Sequence, residues 1–380
     1  MSGTTEKVSA RAAVINVPVA LGERGYDIVI GEGLLDEAGQ RIARLRPGAA
    51  AAIVTDETVA ALHLPRLERA LAGADIRTTR IVIPAGEASK NYRSLETIVD
   101  AILDARIERG DLVIAMGGGV VGDLAGFAAA IARRGIDFVQ IPTTLLAQVD
   151  SSVGGKTGVN TRHGKNLVGA FHQPVLVLAD TALLNTLPPR EFRAGYAEVV
   201  KYGLIADAPF FSWLEQKRAE VFAGGAARAE AIATSCRHKA AIVGRDEHEA
   251  GERALLNFGH TFGHALESAT GYSDRLLHGE AIAIGMVLAF DFASRRGLSP
   301  IEHTRRVAAH LKEAGLPTAI ADIPGERLTA ETLIAHIGQD KKVTRGKLNF
   351  ILTRGIGGAF VAADIPPTQV SEFLEEKIAA

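Results

Sequence analysis

The chain has 380 residues, 47% of them hydrophobic and 23% charged, with a formal net charge of −2. That length allows two domains with a substantial core, and near neutrality without a dense Lys/Arg run gives no footprint for nucleic acid. A single cysteine, Cys236, allows no internal disulfide and suits a reducing compartment.

Residues 1–11 read as a polar, disordered start without the apolar block of a signal peptide. No apolar run of about 18 residues marks a membrane span, so a cytoplasmic protein is expected. From residue 12 to 187, short β-branched runs alternate with amphipathic stretches. Strands are expected at Ala13–Val17, Asp27–Ile30, Ala52–Thr55, Thr79–Ile83, Leu112–Ala115, Phe138–Ile141 and Val175–Leu178, with Tyr26–Gly31 as the second arm of an opening hairpin. Between them, Leu95, Ile98, Val99, Ile102 and Leu103 give Ser94–Glu108 a helical period. Alternation of this kind predicts a Rossmann-like α/β domain with a mostly parallel sheet.

Leu187-Pro188-Pro189 is the expected seam, because proline disfavours helix in the residue before it. Residues 188–380 then read as a mainly α-helical domain. Its helices are expected at Arg190–Leu204, Phe210–Phe222, Ala226–Gly244, Arg253–Thr270, Gly279–Arg296 and Ile301–Ala314, and Leu348–Leu352 is a candidate short strand. Cys236 sits inside one of these helices and reads as a plain helix residue.

The run Leu112–Met116 leads into Gly117-Gly118-Gly119-Val120-Val121-Gly122-Asp123. A strand that turns on glycines into a helix can bring phosphate oxygens against backbone N–H groups; a tight structural turn is the plainer reading. The acid that a dinucleotide fingerprint expects at the end of the next strand is missing there, and Asp56, after Ala52–Thr55, is the better ribose-binding candidate. Glu87, Ser89 and Lys90 form a second polar loop, readable also as a helix start capped by Ser89.

His260 and His264 stand four apart among Phe258, Phe262, Ala265 and Leu266, and His278 follows. Glu198 on another helix would complete the two-imidazole, one-carboxylate set of a catalytic Zn²⁺. A solvated histidine pair, and an ion pair of Glu198 with Lys201, are the plainer alternatives. Lys156 and Lys165 lie in Gly- and Asn-rich loops that suit phosphate or carboxylate. Gly154-Gly155-Lys156-Thr157 lacks the first glycine of a P-loop, which excludes a nucleoside-triphosphatase.

The segments 117–123, 141–157, 195–203 and 256–267 together resemble the 3-dehydroquinate synthases, in order and spacing, across residues 12–380. The resemblance implies NAD contacts from Asp56, Glu87, Lys90, Gly118, Gly119, Val120, Asp123, Thr143 and Thr144, with Asp150 and Lys165 where cofactor and substrate meet. It implies a divalent metal, zinc or cobalt, on Glu198, His260 and His278, which leaves His264 a catalytic or substrate-contacting residue. It further implies a substrate pocket lined by Arg134, Lys156, Lys165, Asn166, Lys201, Lys239, Glu249, Arg253 and Asn257, plus one of Lys341 and Lys342, with Lys342 preferred. The implied partners are a small sugar-phosphate substrate and a second copy in a homodimer, with no nucleic acid and no membrane. The implied reaction is cyclisation of 3-deoxy-D-arabino-heptulosonate 7-phosphate with loss of phosphate.

Overall fold

The computed structural model describes residues 13–339, 343–344 and 347–379. The first part holds β1 (Ile15–Val19), β2 (Tyr26–Gly31), α1 (Leu34–Leu45), β3 (Ala51–Asp56), α2 (Glu57–Ala72), β4 (Thr78–Ile83), α3 (Tyr92–Asp104), β5 (Leu112–Gly117), α4 (Gly119–Ile131), β6 (Asp137–Pro142), β7 (Lys156–Thr161), β8 (Gly164–Phe171) and β9 (Leu176–Asp180). Seven strands form one sheet in the order β1-β2-β9-β6-β5-β3-β4, parallel except for the β1/β2 hairpin.

The strands were readable because both sheet faces are covered, so they run as continuous apolar segments. Alternate side chains serve opposite layers. Val113 and Ala115 pack with α3 and α4, whereas Leu112, Ile114 and Met116 pack with α1 and α2. The chain runs from β3 out to β4 at the edge, then returns to β5 on the other side of β3. Ligands of such sheets bind in the crevice where the direction reverses, at the carboxyl ends of the strands.

The second part holds α5 (Pro189–Ala206), α6 (Ala208–Ala223), α7 (Gly225–Arg245), α8 (His260–Ala269), α9 (His278–Arg295), α10 (Ile301–Glu313), α11 (Ala330–Gln339), β10 (Val343–Thr344), β11 (Lys347–Thr353), β12 (Ala359–Ile365) and α12 (Pro367–Ala379). The helical part shares one core with Val17, Val19, Tyr26, Ile28 and Ile30, so it packs on the hairpin edge of the sheet.

Two expectations are corrected, and the late strand is borne out and extended. The stretch from Arg253 to Thr270 is not one helix: a 3-10 turn at Glu252–Asn257 and α8 are separated by Gly259, whose φ of 80° interrupts the helix. Arg253 and Asn257 therefore do not share a helix with His260. The late strand is one of three in a small antiparallel sheet, β10-β11-β12. The Gly-rich loop near Lys156 is largely the β7–β8 hairpin. The predicted disordered start lies outside the described residues.

Candidate active site

The nucleotide side of the site is built at the carboxyl ends of β3, β5 and β6. β5 ends at Gly117, Gly118 caps α4, and Val120 and Asp123 lie in its first turns. Gly122 is required by packing: a Cβ there would fall 2.8 Å from Gln140 Oε1 on β6. This is the close helix–strand approach that the third glycine of a dinucleotide turn provides. Thr143 and Thr144 follow β6, and the Thr143 hydroxyl is buried with no hydrogen-bond partner among the described residues. Asp56 ends β3 and accepts from Val59 N–H at 2.9 Å as the cap of α2.

Glu87 and Lys90 reach the β7–β8 hairpin. Lys90 donates to Asp123 and to Asn166 Oδ1, each at 2.5 Å, and Asn160 Nδ2 donates to Glu87 Oε1 at 2.7 Å. Ser89 is not a helix cap. Its hydroxyl donates to Pro84 O, and Asn91 caps α3 through Ser94 N–H.

On the helical side, Glu198 lies fully buried on α5, and His260 and His278 are the first residues of α8 and α9. Their candidate ligand atoms all lie within 4.8 Å of one another. His260 Nδ1 is paired with Phe258 O at 3.1 Å and His278 Nδ1 with Glu267 Oε2 at 3.0 Å. Each Nε2 is thereby turned toward Glu198 Oε1, at 3.7 Å in both cases. That is too long for a hydrogen bond. It is close to the separation of about 3.3 Å expected for two ligands of one tetrahedral ion. Glu198 Oε1 is buried with no hydrogen-bond donor among the described residues. The residues therefore fit a divalent cation. A second grouping, His264, Glu267 and His278, overlaps the first, but its carboxylate is already hydrogen-bonded to His278 Nδ1. Burial opposes both charges of that pair, yet each partner favours the other's charged form: the Glu267 carboxyl falls to about 2 and the His278 imidazole rises to about 9, so a cation bound at Nε2 would displace a proton there.

Cations gather beside this cluster. The Lys201 ammonium pairs with Glu198 Oε2 and lies 4.0 Å from Asp150. Burial works against its charge, but those two carboxylates outweigh it and raise the pKa. Asp150 sits in a single π-turn, Ala147–Ser151. Lys239 donates to its carbonyl at 2.6 Å and its carboxylate at 2.8 Å, and the Tyr202 hydroxyl donates to the carboxylate at 3.2 Å. Burial would raise the Asp150 pKa, but Lys239 and Lys201 overcome it and hold it well below the usual range. Glu249 pairs with Lys156 and accepts from Asn257 at 2.9 Å. Arg253 is buried and donates to Gly154 O at 3.0 Å and to Glu247 O.

The 3-dehydroquinate synthase N-terminal family model matches residues 80–194, and the C-terminal model of the same family matches residues 195–343. The chain belongs to the 3-dehydroquinate synthase family. Within the family, it is 63% identical to the 3-dehydroquinate synthase of Brucella ovis over 366 residues, 96% of this chain and 97% of the relative. The same identity and coverage hold for the Brucella canis protein. Among solved structures, 2-epi-5-epi-valiolone synthase from Streptomyces hygroscopicus subsp. jinggangensis 5008, with NAD+ and Zn2+ bound, superposes with a TM-score of 0.85 at 33% identity, covering 95% of this chain and 98% of that one. A 2-deoxy-scyllo-inosose synthase complexed with carbaglucose-6-phosphate, NAD+ and Co2+ gives 0.83 at 26%, covering 96% and 100%.

Within this family member, Asp150, Lys165, Asn166, Lys201 and Lys239 are joined by pairing to the metal cluster or the nucleotide loop, whereas Lys156, Glu249 and Asn257 pair with one another and Arg253 is held at Gly154 O and Glu247 O. Arg134 is not among them. It is exposed beyond the far end of α4, roughly 20 Å along that helix from the glycine turn. Lys341 and Lys342 lie outside the described residues. Sequence reading gave no role to Glu267 or Tyr202. The signal for Glu267 was its place three residues after His264 on one helix face; Tyr202, next to Lys201, gave none.

Proposed function

We propose that the chain converts 3-deoxy-D-arabino-heptulosonate 7-phosphate to 3-dehydroquinate and phosphate. The observation that carries this is the convergence of Glu198, His260 and His278 beside the Lys201–Asp150–Lys239 network, in a member of this family. Glu198, His260 and His278 would hold the divalent cation, zinc or cobalt. The turn at Gly118–Asp123, with Asp56, Glu87, Lys90, Thr143 and Thr144, would hold NAD. When bound, NAD takes up and returns one hydride, and the cation polarises adjacent substrate oxygens.

The chain's own groups do the rest. Lys156, Lys239, Arg253 and Asn257 present donors to the phosphate and carboxylate and fix the ring for phosphate loss. The acids Glu249 and Asp150 keep Lys156 and Lys239 oriented in the cleft. His264, beside the cation ligands, is placed to move a proton at the reacting carbon or oxygen. Because the cofactor would return the hydride that it takes, there would be no net oxidation and the enzyme is a lyase.

Residues 12–187 and 188–380 act as two domains around the substrate. The protein works in the cytoplasm, where phosphorylated sugars and NAD are retained, and as a homodimer. The exposed apolar residues Tyr92, Leu103 and Ile131 are consistent with a covered face, and the partner's Arg134 would then reach the site.

The test is phosphate release from the heptulosonate phosphate, with and without chelator and NAD. Release that needs both is expected. Release from sedoheptulose 7-phosphate or glucose 6-phosphate alone would instead mark a sister cyclase. NADH accumulating in step with substrate would mark a polyol dehydrogenase.

A further inference from the structure

We propose that Tyr272 is a positioning residue that holds the Lys165 ammonium at the junction of nucleotide loop and metal cluster. This rests on the reading above, which places Lys165 where cofactor and substrate meet. Tyr272 follows α8 with φ 51°, after Gly271 at φ 69°. A bulky aromatic residue in the left-handed region is strained, and glycine or asparagine would serve the same helix end without that penalty. The Tyr272 N–H does close the helix, donating to Glu267 O at 2.8 Å, but any residue supplies that bond. Nor does burial explain the ring, which is 45% exposed. Local structure thus gives no reason for tyrosine here.

The ring instead covers a cation. Lys165 Nζ lies 4.2 Å from its centroid, a close cation–π contact. Lys165 comes from β8 in the α/β part and Tyr272 from the loop between α8 and α9, so the contact spans the cleft. Among the described residues the carboxylate neighbours of the ammonium are Glu87 Oε1 at 3.6 Å and Glu267 Oε1 at 3.9 Å, neither at hydrogen-bond length. Two carboxylates and a π face therefore steer the charge from three sides. One of those carboxylates also orients the His278 imidazole. The loop that carries Tyr272 is pinned: Ser273 Oγ donates to Thr270 O, and Arg190 Nη1 donates to Asp274 O, both at 2.8 Å. The ring is preorganised, and backbone strain at an exposed residue that touches a site lysine is the pattern expected of a functional constraint.

The metal- and NAD-loaded full chain tests this through Tyr272→Phe, Tyr272→Gly, Lys165→Met and the double variant Tyr272→Gly/Lys165→Met. Tyr272→Phe keeps the π face and should retain wild-type kcat/KM. Tyr272→Gly should lower kcat/KM by about two- to five-fold, the range of an exposed cation–π contact. Its Tm should hold or rise, because glycine relieves the strained φ. In the Lys165→Met background, removing the ring should cost nothing more. Tyr272→Phe as damaging as Tyr272→Gly, a lower Tm for Tyr272→Gly, or an undiminished effect without Lys165 would each overturn the assignment. Wild-type protein that releases no phosphate would overturn the proposed function itself, which separates the two failures.

Discussion

His278 donates through Nδ1 to Glu267 Oε2 at 3.0 Å, and this one bond fixes which nitrogen faces Glu198. A carboxylate behind a ligating imidazole sets its tautomer and raises its basicity. Glu267→Ala should therefore weaken divalent-metal binding by about 10- to 100-fold. Glu267→Gln, which keeps an acceptor but not the charge, should fall between that and wild type. Competition for Zn²⁺ against a chromogenic chelator reads both, and equal affinity in all three proteins would show that His278 is oriented by something else.

A second determinant of the cluster is steric. Gly279 opens α9 directly after His278, and a Cβ there would lie 1.8 Å from Ala194 O on α5, one turn before Glu198. The contact sets how closely the two ligand-bearing helices approach. Gly279→Ala must push them apart, with an overpacking cost of about 1–3 kcal/mol and weaker metal retention. Gly338→Ala on α11 is the control: an added Cβ meets nothing within 4 Å, so it should leave stability unchanged or raise it by up to about 1 kcal/mol. Thermal denaturation and metal content of the two variants check the pair.

These determinants mark the boundary of what sequence can convey. The parallel strands were legible because burial on both faces writes them as apolar runs such as Leu112–Met116. The β7–β8 hairpin was not, because Gly158 and Gly169 permit a close approach in place of packing: a Cβ on Gly169 would fall 1.9 Å from Thr157 O. His260 and His264 were visible as a spaced pair, but spacing could not say which one faces Glu198. That depends on Gly259 starting α8 at His260 and on Phe258 O holding one ring nitrogen. Pairings such as Lys165 with Glu87 and Glu267 join segments far apart in the chain, and no local periodicity encodes them.

Away from the site, His310 makes stability depend on pH. It is 3% exposed, and its Nε2 is bonded to the Tyr196 hydroxyl at 3.0 Å. Burial lowers its pKa from 6.5 to about 4. The folded chain therefore keeps this imidazole neutral where the unfolded chain already binds a proton. Its contribution is complete above pH 6.5 and is lost as pH falls toward 4, by about 2 kcal/mol at pH 5. Denaturant melts at pH 7.5 and 5 should show a smaller acid loss in His310→Leu than in wild type. An identical loss would mean that other groups carry the acid sensitivity.

Arg134 poses a question of geometry that only an assembly can answer. Arg133 and Arg134 both hold left-handed backbone angles, φ 52° and 63°, and the Arg133 carbonyl accepts from the Arg109 guanidinium. This anchors the turn at the amino-terminal edge of the sheet, whereas Asp56, Gly118 and Thr143 lie at the carboxyl edge. If a substrate anion is held by the partner's Arg134, each site of a two-fold dimer draws on both chains. A heterodimer of Arg134→Ala with His260→Ala, isolated on two affinity tags, would then contain one intact site and one doubly damaged site. It should show about half the wild-type rate per dimer, although each homodimer is inactive. Were Arg134 to serve its own subunit, both sites of the heterodimer would carry a lesion and no activity would return.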